Sequence, residues 1–354
     1  MFLEIELMSG TICLLPLLPL SIILKNYINF FYLRICLMFL NESLQYYKTQ
    51  FQKLKQGITQ YGKAPHKPIL LLSVIHQIEK GNISDNRICL TPDLVAEFLE
   101  TFKLLVHTGN RPEFSLPFYH LTGDKFWHLM PKSDQILRGY VKSLTVMNEI
   151  IDYAYLDEGL FMLLQNPETR QILKQTLLDT YFPQTKALYL SAQPDTDAYI
   201  HNLEKYILQE PSSIYAAPPA VLEEDERFVR GSLFKKLIPR LYNQTCSISR
   251  MRVTSSHGYQ LIDACHIQPI SLSNDDTVSN GFALCPNLHR AFDRGIIGID
   301  ATYRVVVSRH IKEDDAVAYS LKALAGTQLY LPMPDAYYPS VDNFLWHLEE
   351  RFER

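Results

Sequence analysis

Apolar and polar positions follow several rhythms along this chain. Residues 44–56 carry apolar side chains at helical spacing. Residues 69–78 are almost wholly apolar, which predicts a buried helix that starts near Pro65 and Pro68 and stops at Gly81. Residues 87–91 read as a short strand, and Thr91-Pro92 opens a helix reaching about Val106. Residues 107–130 interleave Phe114, Phe118, Tyr119, Phe126 and Trp127 with His107, Arg111, His120, Lys125 and His128. Gly123-Asp124, between two alternating runs, predicts a hairpin turn. Residues 148–182 read as two helices broken near Asn166-Pro167, with Leu156, Leu160, Leu163 and Leu164 on one face. The pattern weakens from Pro183 to about Glu224, around a helix expected at 197–209.

Residues 260–300 differ from the rest. A strand-like run ends at His266, a loop rich in Ser, Asn and Asp follows, and a second apolar run starts after Asn280. Pro286 is then placed to start a helix carrying His289 and Asp293. Residues 303–308 read as a further strand, and residues 343–352 as a closing helix. The expected class is α+β, a mixed helical and small-sheet region followed by a strand–loop–strand–helix unit.

With 354 residues, 47% of them hydrophobic, the chain is long enough for two or three cored domains. The expected division is 38–190 for recognition, 191–226 as linker and 227–354 for the strand–loop–strand–helix unit. Residues 12–24 are apolar but short for a membrane span and contain Pro16 and Pro19, and no Lys or Arg precedes them. Met38 opens an ordinary soluble helix start, so residues 1–37 are read as a non-native or disordered extension, and no membrane partner is expected. The six cysteines (13, 36, 89, 246, 265 and 285) are scattered, which suits a reducing cytoplasm.

A net charge of −4 excludes a uniformly basic nucleic-acid coat and leaves local patches. Residues 227–252 form one: Arg227, Arg230, Lys235, Lys236, Arg240, Arg250 and Arg252, with no acidic residue among them. Such a run suits phosphate contact. His66 and Lys67 lie at the positive end of a predicted helix, a second place for an anion. The aromatic and cationic mixture around Arg111 suits either a nucleic-acid groove or a small sheet with solvated charges.

Hydrolysis of a phosphodiester needs a base to activate water and a cation to stabilise developing charge. His266 is the candidate base, since imidazole exchanges protons near neutrality. His289 and Asp293 are four apart and share one helix face, where they could hold one cation. Arg290 and Arg294 beside them could hold a phosphate.

Cys246-Ser-Ile-Ser-Arg250, Cys265-His-Ile, Asn280-Gly-Phe-Ala-Leu and His289-Arg-Ala-Phe-Asp-Arg-Gly295 together resemble the HNH (ββα-metal) endonuclease family. The resemblance implies that His266, Asn280 and His289 form the catalytic set, with Asn280 bracing the loop that holds the base. In the family the position before the base is often an Asp or His that binds metal, and here it is Cys265. Either Cys265 supplies a thiolate, or Asp263 reaches in, or water fills the place; the expectation leans to Asp263 or water. A carboxylate and water suit Mg2+ or Mn2+, a thiolate Zn2+; Mg2+ is the expected ion. Some relatives carry two Cys-x-x-Cys pairs on a structural zinc. Here Cys246 and Cys285 each stand alone, so no four-thiolate zinc is expected.

Ala64-Pro-His-Lys-Pro-Ile-Leu-Leu-Leu, Leu116-Pro-Phe-Tyr-His-Leu and Phe126-Trp-His-Leu resemble the N-terminal domain of restriction-type HNH endonucleases, including McrA-like enzymes that bind phosphorothioate DNA. In those relatives an apolar cavity built partly on a proline receives the sulfur. Pro117 matches that proline, Leu116 replaces a tyrosine, and His120 stands near a position that is small in the sulfur binders. The resemblance implies DNA binding and leaves sulfur recognition open. The expected function is a metal-dependent endonuclease of restriction or defence type acting on double-stranded DNA, plain or modified. The alternative is an HNH-fold DNA-binding or regulatory protein that lost activity with its first metal ligand. Double-strand cutting needs two active sites, which would suit a homodimer.

Overall fold

The computed structural model describes residues 40–133, 135–136, 139–209, 223–253, 255, 261–314 and 320–354. The extension read at residues 1–37 lies outside the described residues. Among the described residues, no helix is long and apolar enough to cross a membrane.

The N-terminal half is built around one helix. Helix α1 (residues 40–52) buries Leu44, Tyr47 and Phe51 at helical spacing, and the two-residue strands β1 (Ile58–Thr59) and β2 (Gly62–Lys63) lead from it to α2 (His66–Glu79). Helix α2 is apolar on all sides and accordingly central, packed by α3 (Pro92–Leu105), α4 (Ser115–His120), α6 (Glu158–Gln165) and α7 (Pro167–Tyr181). Thr91 caps α3 by accepting from the Leu94 N–H at 3.2 Å, and Pro92 fills the first turn. Asn166 caps α7 in the same way, accepting from the amides of Glu168 and Thr169.

Three sequence expectations fail here, the first at residues 87–91, where Ile88 makes only an isolated bridge to Ala154 in place of a strand. Residues 115–120 form a helix, not the first arm of a hairpin. Phe114 and Phe118, four apart, stack with ring centroids 5.4 Å apart inside the core, so the helical period wins over apparent alternation. The strand that does form, β3 (Trp127–Pro131), pairs antiparallel with β4 (Ile151–Leu156), and the short helix α5 (Leu144–Ile150) precedes β4. Residues 151–156, expected to be helical, alternate Ile, Asp, Tyr, Ala, Tyr, Leu and bury Ile151, Ala154 and Leu156.

Helices α8 (Lys186–Ala192) and α9 (Thr196–Gln209) lie on α3. The stretch expected as a linker, 191–226, is therefore no open tether over its described part. The Thr196 hydroxyl donates to the buried Glu97 carboxylate at 2.5 Å, and His76 meets the other Glu97 oxygen at 2.6 Å. Helix α10 (Glu224–Leu241) packs against α3, α5 and α9 on one side and against the two strands of the C-terminal half on the other. Its buried Asp225 accepts the Phe114 N–H at 2.9 Å, and burial raises that carboxyl to about 7.

The C-terminal half follows the expected order. Strand β5 (Asp263–His266) pairs antiparallel with β6 (Gly281–Leu284), with Asp263 opposite Leu284 and His266 opposite Gly281. The connecting loop carries a one-turn helix, α11 (Ile270–Ser273). Pro286 opens α12 (Pro286–Asp293). Strands β7 (Ile297–Ile299) and β8 (Val305–Val307) pair antiparallel, and α13 (Val341–Glu350) packs on β7.

Candidate active site

The two glycines of the motif have local causes. A Cβ on Gly281 would come within 2.5 Å of the Phe234 ring and 2.8 Å of Ile238, so glycine lets α10 lie against β6. Gly295 follows α12 with a φ of 68°, its N–H reaching Phe292 O at 2.8 Å while the Ile296 N–H reaches Ala291 O at 2.9 Å. That is the glycine-terminated helix end that satisfies otherwise orphaned carbonyls. A further left-handed position carries a side chain rather than a glycine. Arg250 sits at φ 61°, its guanidinium 5.1 Å above the Tyr330 ring and hydrogen-bonded to Gln328 O at 3.2 Å.

Asn280 is fully buried at the loop's end. Its Oδ1 accepts the Gln268 N–H at 2.8 Å, and its Nδ2 donates to Gln268 O and Asp275 O, both at 3.0 Å. One side chain thus closes the loop directly after His266. Gln268 in turn donates to Asn343 on α13, which donates to Ser279 O, so the closing helix fastens the same loop. His266 lies flat on Phe234, with centroids 3.9 Å apart and planes 7° apart, and its Nε2 is 3.3 Å from Asp276 Oδ1.

On α12, His289 Nε2 is 3.6 Å from Asp293 Oδ2, and its Nδ1 is 3.2 Å from Asp263 Oδ2. Cys265, His289 and Asp293 present ligand atoms within 4.8 Å of one another, which fits a small metal ion. Asp263 is outside that group and meets the opposite ring nitrogen of His289. That contact can orient the imidazole, as a carboxylate behind a metal-binding histidine commonly does. Burial, with Asp293 and Asp263 nearby, pushes the Cys265 thiol well above the usual thiol range. Cys265 is fully buried, whereas His289 and Asp293 reach solvent and are the more accessible donors.

Cys246 and Cys285 come together with Ser249, whose N–H is 3.4 Å from Cys246 Sγ and whose hydroxyl is 4.0 Å from Cys285 Sγ. The hydrogen bond from the Cys285 thiol pulls Cys246 below the usual thiol range. Leu288 is wholly buried where a second Cys-x-x-Cys thiol would stand.

The basic residues divide. Lys235, Lys236 and Arg240 on α10, and Arg290 and Arg294 on or beside α12, are exposed. Arg230 is not. It is 4% exposed, 3.8 Å from Asp276 and under the Tyr206 ring at 4.7 Å, so its expected phosphate contact gives way to an internal one. Lys67 is likewise turned inward, its ammonium 2.5 Å from Asp124 in a buried ion pair. His66 Nε2 is 2.9 Å from Arg111 O, and burial lowers its pKa. Arg111 is exposed and pairs with Glu223 at 3.3 Å. Lys67 and His66 nevertheless line a cavity of about 440 Å³ with Leu116, Pro117, His120 and Ala64. The sequence placed Pro117 there, but gave no sign that Asp124 would neutralise Lys67 or that Asp276 would meet His266.

The family model for HNH endonucleases matches residues 246–300, and that for the ScoMcrA-like DNA sulfur-binding domain matches residues 46–192. No curated protein matches the chain. Among solved structures, a modification-dependent TagI restriction endonuclease is 21% identical over 34% of this chain and 37% of its own, with a TM-score of 0.27. The chain thus spans little more than a third of that protein. The Type IV phosphorothioation-dependent restriction endonuclease ScoMcrA is 12% identical over 69% of this chain and 93% of its own, with a TM-score of 0.29. Superpositions this loose carry no argument about function. The two family matches fall on the two halves already described: the N-terminal half is similar to the ScoMcrA-like DNA sulfur-binding domain and the C-terminal half to the HNH endonuclease domain.

Proposed function

We propose that this protein is a metal-dependent DNA endonuclease of restriction type, directed at modified DNA by its N-terminal half. The observation that carries the reading is that one strand–loop–strand–helix unit bears His266, Asn280, His289 and Asp293, with the last two paired on its helix. His266 takes the proton from the attacking water. Asn280 holds the loop so that the imidazole keeps its place. His289 and Asp293 would hold the divalent cation, Mg2+ in this reading, with Asp263 orienting the His289 ring. The cation, when bound, stabilises the charge of the phosphate and the leaving oxygen. Arg290 and Arg294 draw the scissile strand to the helix face, and Lys235, Lys236 and Arg240 contact phosphates further along.

In the N-terminal half, the cavity beside Pro117 receives the modified backbone. Sulfur replacing a phosphate oxygen is larger, softer and less strongly hydrated, and Leu116 and Pro117 offer it apolar surface. The duplex is cut on both strands by a homodimer in the cytoplasm. A second reading, a DNA-binding protein without nuclease activity, is favoured by the wholly buried Cys265, which stands at the first metal position in place of an aspartate or histidine.

One assay separates them. Purified protein and a His266→Ala variant are incubated with plain and phosphorothioate plasmid in Mg2+, Mn2+ or Zn2+. The proposal expects metal-dependent cutting of the modified plasmid by the wild type and none by the variant. Absence of cutting in every combination would establish the second reading.

A further inference from the structure

We infer that Asp276, held by Arg230, is a positioning residue for His266, fixing which ring nitrogen is free to take a proton. The inference rests on the nuclease reading for its consequence, although its geometry stands independently.

Four side chains form one connected line. Tyr206 of α9 covers the Arg230 guanidinium at 4.7 Å. Arg230 Nε is 3.8 Å from Asp276 Oδ2, and Asp276 Oδ1 is 3.3 Å from His266 Nε2. Phe234, one turn beyond Arg230 on α10, forms the flat bed of the imidazole. Asp276 is 2% exposed and lies outside the Cys265, His289 and Asp293 group. Its loop is pinned on both sides, by Asn280 to Asp275 O and by Thr277 N–H to Asp275 Oδ1 at 2.8 Å.

A carboxylate accepts hydrogen bonds and does not donate them. A neutral imidazole facing it therefore carries its proton on Nε2, and Nδ1 keeps the lone pair. Nδ1 is then the atom that takes a proton from water, and the ring, once charged, gains the neighbouring carboxylate as partner. Phe234 fixes the plane of the ring and Asp276 fixes its rotation. Burying Asp276 and Arg230 as a pair offers little over apolar packing in stability alone, whereas a carboxylate at this place fixes the proton of the neighbouring ring. The sequence concealed this arrangement. Arg230 stands in the basic run that suggests phosphate contact, and Asp276 in a loop that suggests solvent.

The test uses the full-length protein and two readouts. Nitrogen-15 NMR of histidine-labelled protein, at a pH where the ring is uncharged, should show His266 with a protonated Nε2 and a bare Nδ1. Asp276→Asn should shift that ring towards the other tautomer. In metal-dependent cutting, Asp276→Asn should lower kcat by about 10²–10⁴-fold with little change in KM or melting temperature. Asp276→Asn/His266→Ala should cut no more slowly than His266→Ala alone. A bare Nε2 in the wild type overturns the inference, as does multiplication of the two losses in the double variant. A wild type that never cuts would end the nuclease reading, and the NMR result would still decide the tautomer.

Discussion

Lys67 and His289 each sit in the first turn of a helix and each meet an aspartate, yet the two halves of the molecule use them differently. The Lys67 ammonium is enclosed against Asp124, and the pair lies beside an apolar cavity lined by Leu116 and Pro117. His289 stays a quarter exposed between Asp263 and Asp293, both open to solvent. The N-terminal half cancels this charge internally and leaves apolar surface beside it. The C-terminal half leaves its carboxylates open to solvent, which suits the proposed site for a cation and a phosphate. A cation in a DNA-binding sequence is therefore no measure of contact until its partner is known.

Crossed substitutions would break this comparison most sharply. His289→Ala should abolish several kcal/mol of transition-state stabilisation, about 1,000-fold in cutting rate, while leaving affinity for modified DNA intact. Pro117→Ala should do the reverse, weakening binding about tenfold with an unchanged rate at saturation. Filter binding and single-turnover cutting on the same substrate measure both; the same defect from both changes would erase the division.

Next in size is Lys67→Met. Removing one partner of a buried pair leaves Asp124 uncompensated and should cost about 3–5 kcal/mol in urea unfolding. A cost near that of a surface pair would mean that Asp124 finds solvent.

The joint between the halves gives a pH effect. Asp225 has an ordinary value of 3.8, and burial raises it to about 7. The folded protein thus holds a proton that the unfolded chain releases, and this stability is present below 3.8 and lost as pH rises through about 7. His347, lowered by burial from 6.5 to about 4, works in the opposite sense, its contribution lost as pH falls. Asp225→Asn should remove only the first slope, and urea midpoints at about pH 5 and about pH 8 would show it.

The smallest effect is expected at Arg250, where a left-handed backbone carries a side chain. Arg250→Gly should relieve about 1 kcal/mol, partly offset by the lost contact with Tyr330. A net loss of stability would mean that the Tyr330 contact outweighs the strain.

What the sequence revealed followed chain distance. Pro286, Gly295 and the four-residue step from His289 to Asp293 lie within ten positions, and the helix they imply is α12. Asn280 stands fourteen residues after His266, and the motif fixed its place between loop and strand. Contacts made by distant segments were not legible. Nothing near Lys67 announces Asp124, and nothing in residues 227–252 distinguishes the buried Arg230 from the exposed Lys235. Residues 115–120 misled because Phe114, Leu116 and Phe118 fall two apart and so also fit alternation.

Helix α10 has a consequence for anyone who would exchange recognition modules between such proteins. Its first turn locks onto Phe114, and its middle sets Phe234 against His266 and Arg230 against Asp276. A chimera joined at residue 227 would part Asp225 from Arg230 and cut inside this helix. A junction ahead of Glu223 would keep α10 with the nuclease, and the donor module would then have to present a free backbone N–H where Phe114 now offers one.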